Sequence, residues 1–287
     1  MEEVLKDSYY GKTLLLTVVY QFGFFLVSLI FNTHKVTDFA GCTSFVFLSA
    51  LTFFSVTETI DFHDVRTINS FLQIVWGLRL GLFLFYRIFK WGKDKRLNEK
   101  WYRVCIFWTL QVLWSWSVSL SVLYVNDPNN KSFLSNQGIN TQDYIGWTMW
   151  IIGFLYETIA DFQKLSYREG GNVTTAWPTH GAWANSRHPN YFGEILLWWG
   201  LFVSVSGHLR EDDDYFIISS PLVTMFLLIF LSGIPLIEKK YDHKFGQESQ
   251  YVEYVQSTSP LIPMPTSVYR NLPRFIKSVL FFDYSYW

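Results

Sequence analysis

The sequence has little charge and little cysteine, and both shortages narrow what the protein can do. Charged residues make up 16% of the 287 residues, against roughly a quarter in soluble domains. The formal net charge is −1, which gives no electrostatic basis for binding nucleic acid. The only cysteines, Cys42 and Cys105, are too few for a disulfide framework or a zinc site. We assign both to packing and expect no metal.

The sequence also has no Gly-x-Gly-x-x-Gly fingerprint and no Walker-type loop. A nucleotide would therefore be held by helices and not by a Rossmann sheet. No internal repeat and no low-complexity linker divides the chain. We expect one integral membrane domain over residues 1–265, with its cofactor-binding half at about 143–265, followed by an interfacial tail over 266–287.

What the sequence does contain is apolar and aromatic: 50% of the residues are hydrophobic and 20% are aromatic. These residues form seven runs of about 20, the length that crosses a bilayer as a helix. The prediction is an all-α, polytopic membrane helix bundle with about seven transmembrane helices. The runs are Thr13–Phe31, Phe39–Thr57, Ile68–Phe89, Val104–Val125, Asp143–Phe162, Tyr191–Gly207 and Tyr215–Ile237.

Basic residues predict how the bundle is oriented. The loop Lys90–Arg103 carries six lysines and arginines, which indicates the cytosolic side. With seven spans, the N-terminus is then outside and the long loop Gln163–Asn190 is cytosolic. A glycan can attach to the sequon at Asn130 in this topology but not to the sequon at Asn172.

The densest polar chemistry lies where a loop becomes an apolar run, at Ser186–Gly200. Pro189 suits the first position of a helix. From there Asn190, Tyr191 and Glu194 recur at helical spacing. A carboxylate inside an apolar segment is costly unless it has a partner or a ligand, so the pattern fits either a binding site or a helix anchored at the interface with Glu194 paired to a neighbour.

A helix N-terminus with nearby arginines is a setting for phosphate. Arg187 and Arg168 supply the cations here. Adenine and ribose want amide, carboxylate and aromatic partners, and the chain offers them. These are Asp161, Asn190, Glu194, Tyr241 and Tyr254. Salt bridges at helix ends produce the same spacing, so the pattern alone leaves both interpretations open.

The segment Arg187-His-Pro-Asn-Tyr-x-Gly-Glu194, with the apolar run that follows, resembles the C-terminal domain of the steroid 5-alpha-reductase superfamily. It is most similar to the poorly characterised membrane oxidoreductase branch of that superfamily. Further matching motifs run from about Thr37 to Pro265. They are Val36–Asp38, Trp76–Leu80, Gly153–Gln163, Ser232–Lys239 and Ser259–Pro263.

The resemblance implies a multi-span fold whose C-terminal half holds NADPH on the cytosolic side, with the endoplasmic reticulum as the expected location. It implies hydride transfer to an activated carbon–carbon double bond in a sterol-like or other lipid. Better-known reductases have Asn where Glu157 stands. The residues predicted to bind the cofactor are Glu157, Asp161, Arg168, Arg187, His188, Asn190, Tyr191, Glu194, Glu238, Tyr241 and Tyr254.

The sequence departs from the family at the expected catalytic position. Steroid reductases use a Tyr in the third span, and our alignment puts Arg79 near that position with Tyr86 two turns on. We therefore predict Arg79 and Tyr86 as catalytic. An arginine inside an apolar run is a functional candidate, but Arg79 can equally be a buried partner of Glu157 or Asp161.

Two other functions stay open at this stage. Membrane methyltransferases of the isoprenylcysteine and phospholipid kind, which use S-adenosylmethionine, also carry an Arg-His-Pro-x-Tyr segment. The pair Gly193-Glu194 argues against them, because their pattern has apolar or aromatic residues there. A non-catalytic lipid-binding protein that keeps the fold is the third possibility.

Overall fold

The computed structural model describes residues 9–31, 33, 35–91, 101–130, 138–170, 177–209 and 212–284. Over these ranges the chain is helical and has no β-strand, which confirms the all-α prediction. The α-helices are α1 (Tyr9–Ile30), α2 (Thr37–Val56), α3 (Val65–Trp91), α4 (Trp101–Val118), α5 (Leu120–Val125), α6 (Thr141–Glu169), α7 (Pro189–Ser206), α8 (Ser219–Phe226), α9 (Ile234–Phe245), α10 (Ser249–Ser257), α11 (Thr266–Tyr269) and α12 (Arg274–Phe281). Two 3₁₀ turns, Gly181–Ala184 and Asp212–Ile218, and the π-helical Leu227–Leu231 complete the description.

Within the described ranges, four helical segments are long and apolar enough to cross a membrane. They are Tyr9–Ile30, Thr37–Val56, Val65–Lys90 and Asp214–Phe245. They coincide with the first, second, third and seventh predicted runs and indicate a helical membrane protein, as expected. Helices also occupy the other three predicted runs.

The chain divides into two compact units. The first comprises Met1–Ile145 and Leu201–Val223, and the second comprises Gly146–Gly200 and Thr224–Trp287. The start of the second unit lies close to residue 143, where we expected the cofactor-binding half to begin. The segment predicted as a tail, 266–287, belongs to this second unit.

Polar side chains join the helices of the first unit. Gln111 Nε2 donates to Gln21 Oε1 at 3.0 Å and to the carbonyl of Thr37 at 2.9 Å. Gln73 Nε2 donates to the carbonyl of Phe45 at 3.1 Å. These amides are buried, and in an apolar surrounding such groups are stable only when they bond one another or the backbone.

In the second unit, the chain before α7 is held by the chain after α10. The amide of Arg187 donates to the carbonyl of Ser259 at 2.8 Å, and Ser186 Oγ donates to the carbonyl of Leu261 at 2.8 Å. The amide of Met264 donates to the carbonyl of Asn185 at 3.0 Å. These bonds fix the residues that enter α7, where the predicted site begins.

Some predicted features lie outside the described residues. They include most of the basic loop Lys90–Arg103 and the sequon at Asn172. The sequon at Asn130 is described only at its first residue.

Candidate functional site

A small pocket lies beside the first turn of α7. Its free volume of about 30 Å³ is enough for about two water molecules. Five of the residues predicted to bind the cofactor line it, and they come from the two residues just before α7, from α9 and from α10. The lining residues are Lys164, Trp177, Pro178, Trp183, Arg187, His188, Ile237, Glu238, Tyr241, Tyr251 and Tyr254.

Arg187 lies in the wall of this small pocket, which we call the inner pocket. Its Nε lies 2.9 Å from Glu238 Oε1, and one terminal nitrogen (Nη2) lies 3.2 Å from Asp283 Oδ1. The other terminal nitrogen (Nη1) donates to the carbonyl of Val255 at 2.8 Å. The side chain is only 5% exposed, and this buried cation is compensated by two carboxylates and one carbonyl, as a buried charge requires.

The carboxylates around Arg187 determine how much of its positive charge is available to a ligand. Burial alone acts to lower the pKa of Arg187, but the carboxylates of Glu238 and Asp283 outweigh it and raise that pKa. One guanidinium thus faces two carboxylates, and the ionised cluster carries a single net negative charge. Arg187 is committed to these two partners and is not free to bind a phosphate.

His188 faces the same carboxylate. Its Nε2 lies 3.2 Å from Glu238 Oε1, and its ring stacks on Tyr191 with ring centres 5.4 Å apart and planes inclined by 4°. Burial lowers the pKa of His188 more than the nearby Glu238 raises it, so the imidazole is neutral at pH 7. With Glu238 ionised, the hydrogen bond requires the proton of the neutral ring on Nε2.

Aromatic rings form the opposite wall. Trp177 meets Tyr251 at 4.9 Å and Tyr254 at 6.2 Å between ring centres. The Tyr254 hydroxyl donates to the carbonyl of Trp183 at 2.9 Å. The indole Nε1 of Trp177 is buried and has no hydrogen-bond partner in the described part of the chain, so it presents a donor to a ligand oxygen.

The remaining predicted cofactor residues lie on α6 and α7. Asn190 Nδ2 donates to Asp161 Oδ1 at 3.3 Å, and Arg168 hydrogen-bonds the side chain of Tyr241. Glu157 and Glu194 are both buried. The structure therefore brings five of the predicted residues together around one pocket and joins Asn190 to Asp161 separately, whereas Glu157 and Glu194 are buried outside the pocket lining.

A wider cleft of about 570 Å³ adjoins the inner pocket and shares Pro178 and Trp183 with it. None of the eleven predicted cofactor residues lines this cleft. Its volume, which no sequence pattern reveals, makes it a candidate binding region. Its lining is Thr158, Ile159, Phe162, Gln163, Ser166, Tyr167, Pro178, His180, Gly181 and Trp183.

One local signal does mark the edge of the cleft. Gly181 has φ +64°, and a Cβ there would lie 2.3 Å from the Gln163 side chain. Gln163 Oε1 accepts a hydrogen bond from the amide of Ala182 at 2.9 Å. The left-handed backbone favours glycine at this position, and the hydrogen bond from Ala182 holds the loop against α6.

The residues present fit a dinucleotide by their chemistry. Lys164 Nζ lies 4.6 Å from the centre of the Trp183 ring, and Arg168 lies one turn further along α6. The buried Trp177 donor adds a neutral hydrogen bond. The wide cleft has a volume typical of ligand sites, about 300–1,000 Å³, whereas the inner pocket has room only for a small group. The cleft therefore has room for a ligand of dinucleotide size, and Lys164 and Arg168 lie on α6, the helix that forms one of its walls.

The predicted catalytic residues lie in the first unit. Tyr86 is 47% exposed, and its hydroxyl accepts a hydrogen bond from Lys90 Nζ at 2.9 Å. Arg79 is partly buried on α3. Their catalytic role stays a prediction. Within the described ranges no group of three or more His, Cys, Asp or Glu is arranged to hold a metal ion.

Comparison with known proteins gives a family. Residues 24–258 match the family described as "Protein of unknown function (DUF1295)". The chain belongs to the DUF1295 family. The matched region includes Arg187, His188, Glu238 and the aromatic wall, and it ends before Asp283. No curated protein matches the chain, and no solved structure matches it.

Proposed function

We propose that this DUF1295 protein is a membrane-embedded, NADPH-dependent reductase that saturates a carbon–carbon double bond in a sterol-like or other lipid. One observation carries the proposal. One pocket is lined by five of the residues that the sequence predicts to bind the cofactor. They are Arg187, His188, Glu238, Tyr241 and Tyr254. These residues come from three separate segments, and a ligand-sized cleft adjoins them.

The proposal divides the binding work among the side chains. Lys164 and Arg168 supply the positive charge for phosphate groups, because Arg187 is neutralised by its own carboxylates. Asn190 and Asp161 offer the amide and carboxylate for ribose or adenine, and Trp177 offers a buried N–H. When bound, NADPH supplies the hydride.

The lipid's conjugated carbonyl needs a hydrogen-bond donor to stabilise the charge that develops on its oxygen. We assign this role to Arg79, with Tyr86 as the alternative donor. A guanidinium on an apolar helix is a strong donor, since few competing waters surround it. This assignment rests on the position of Arg79 in the third predicted span.

The finer topology is also proposed: seven spans, an outer or lumenal N-terminus, and a cofactor site facing the cytosol of the endoplasmic reticulum. Its test is glycosylation mapping. A glycan on Asn130 that disappears in Asn130→Gln supports this topology, and a glycan on Asn172 overturns it.

The function is tested first by ligand binding. The purified protein is heated with NADPH, NADH or S-adenosylmethionine, since a ligand that binds only the folded state stabilises it by about 2.7 kcal/mol at a hundredfold excess over Kd. A shift with NADPH, followed by NADPH consumption with an enone lipid, supports the reductase. A shift with S-adenosylmethionine alone favours the methyltransferase. No shift with any of the three favours the non-catalytic lipid-binding protein.

A further inference from the structure

Asp283 is buried although it lies in the C-terminal segment, outside the membrane-spanning runs. Its side chain is 7% exposed. One carboxylate oxygen accepts from Arg187 and the other from the hydroxyl of Tyr269, a residue with no exposed surface. A carboxylate is placed in such surroundings only when its bonds compensate for lost hydration.

The backbone around Asp283 is shaped to bring it there. Phe282 follows α12 with φ 59° and ψ 32°, a left-handed conformation that is unfavourable for a bulky residue and persists only when its surroundings impose it. The amide of Asp283 donates to the carbonyl of Lys277 at 3.1 Å. The carbonyl of Asp283 accepts a hydrogen bond from Ser278 Oγ at 3.1 Å. The turn closes α12 and directs the carboxylate inward.

The bonds continue from Asp283 into the pocket. Arg187 lies between Asp283 and Glu238, and Glu238 in turn contacts His188. Asp283 itself does not line the pocket. It is therefore one step behind the lining, bonded to the residue that orders two lining groups.

We propose that Asp283 is a positioning residue of the candidate site, which holds Arg187, and through it Glu238 and His188, in the geometry that binds the ligand. The turn after α12 that carries Asp283 then helps to hold the site in its binding geometry. The effect on the ligand rests on the proposed function, whereas the effect on the backbone at Arg187 does not.

Two alternative roles of Asp283 predict results that differ from those of positioning. If Asp283 acted only through its charge, removing it would strengthen the binding of an anionic cofactor, because a nearby negative charge is lost. If Asp283 only anchored the C-terminal segment, its removal would loosen 266–284 and leave the entrance to α7 unchanged. Positioning predicts a looser entrance and weaker binding together.

The test compares Asp283→Ala with Arg270→Ala, a control on the same segment. The side chain of Arg270 makes an exposed contact to Glu253, 3.7 Å away, and such pairs contribute little. Hydrogen exchange is followed on peptides that contain the amide of Arg187, which donates to Ser259. NADPH binding is measured on the same samples.

We expect Asp283→Ala to speed exchange at 186–188 and to raise the Kd for NADPH about tenfold, the loss typical of one hydrogen bond to a charged group. Arg270→Ala should match the wild type in both measurements. Faster exchange confined to 266–284, or tighter binding of NADPH, overturns the proposal.

If Asp283→Ala does not fold, Tyr269→Phe replaces it, because this variant keeps the carboxylate and removes one of the bonds that hold it. It should speed exchange at 186–188 to a smaller degree, and unchanged exchange there overturns the proposal. If wild-type protein binds no NADPH, the proposed function fails, and the exchange measurement alone decides the role of Asp283.

Discussion

Gly153 on α6 and Gly193 on α7 face each other across a helix crossing. A Cβ on either glycine would lie 2.6 Å from the carbonyl oxygen of the other. The contact repeats seven residues away, where a Cβ on Gly200 would lie 2.6 Å from the carbonyl oxygen of Gly146. Small residues at such spacing allow helices in membranes to approach closely. The glycine of the Asn-Tyr-x-Gly-Glu motif is therefore a packing residue.

The first prediction is that Gly193→Ala destabilises the second unit. The added methyl group would lie 2.6 Å from the amide nitrogen of Glu157, so α6 and α7 must separate, at a cost of about 1–3 kcal/mol. Thermal unfolding in detergent measures the loss. Gly23→Ala is the matched control, since nothing lies within 4 Å of a Cβ at that position on α1, and it should not lower the unfolding temperature. Equal losses in both variants would contradict the argument.

This crossing also shows what a sequence can and cannot predict. The apolar runs and the start of α7 at Pro189 were readable because they depend on local composition. The pairing of Gly153 with Gly193 was not, because nothing in either segment says which helix it meets. The two glycines lie in separate motifs of the family resemblance, and only the fold shows why each must be small.

The candidate site divides in the same way. Arg187, His188 and Glu238 were predicted from motifs, and the structure gathers them around one pocket. The sequence left open whether Arg187 meets a phosphate or a salt bridge; the structure pairs it with Glu238 and Asp283, and its contact with the cofactor stays a prediction. Asp283 itself was not foreseen, because a single acid in a basic and aromatic tail carries no pattern.

The second prediction concerns pH. Burial lowers the pKa of His188 below its ordinary value of 6.5, so between the folded and the unfolded pKa the unfolded chain binds more protons. The contribution of neutral His188 to the free energy of unfolding is fully present above about pH 6.5, the ordinary pKa of histidine. It is lost as the pH falls through the pKa of His188 in the folded protein. The unfolding temperature should therefore drop on acidification, less steeply in His188→Gln than in the wild type. The control His180→Gln alters an exposed imidazole and should keep the wild-type slope. A wild-type slope in His188→Gln would contradict the assignment.

The third prediction separates a ligand-facing indole from a structural one. Trp177→Phe removes an N–H that bonds no described protein group, so it should weaken NADPH binding by about 0.5–1.5 kcal/mol and lower the stability only by the lost packing volume. Trp183→Phe removes an N–H that donates to the carbonyl of Ala160 at 3.0 Å, so it should lower the stability of the free protein. Titration with NADPH and thermal unfolding of both variants measure the contrast. The same pattern in both variants would remove Trp177 from the site.

The fourth prediction tests the first turn of α7. Asn190→Ala and Glu194→Ala should each weaken nucleotide binding by about 1–3 kcal/mol if these side chains make buried polar contacts to the ligand. Asn271→Ala is the control, because that amide donates to the carbonyl of Ser267 on an exposed turn. Binding is measured on the folded fraction. Two variants that unfold the protein, with normal affinity in what remains folded, would show a purely structural role.

The fifth prediction addresses the proposed electrophile. Arg79→Ala should keep NADPH binding and lose turnover with an enone lipid, because a donor to the carbonyl oxygen acts on the transition state and not on the cofactor. Arg87→Ala is the matched control on the same helix, and its guanidinium lies 5.8 Å from the centre of the Phe83 ring. Tyr86→Phe tests the alternative donor in the same assay.

The loss of turnover in Arg79→Ala, compared with its loss of cofactor affinity, decides the role of Arg79. A fall in kcat with unchanged cofactor affinity identifies a group that acts in the chemical step. An equal fall in cofactor affinity and turnover identifies a buried ion pair that supports the fold, and it would move the search for the electrophile to Tyr86. If Arg87→Ala shows the same loss of turnover as Arg79→Ala, the effect belongs to α3 as a whole and not to one guanidinium.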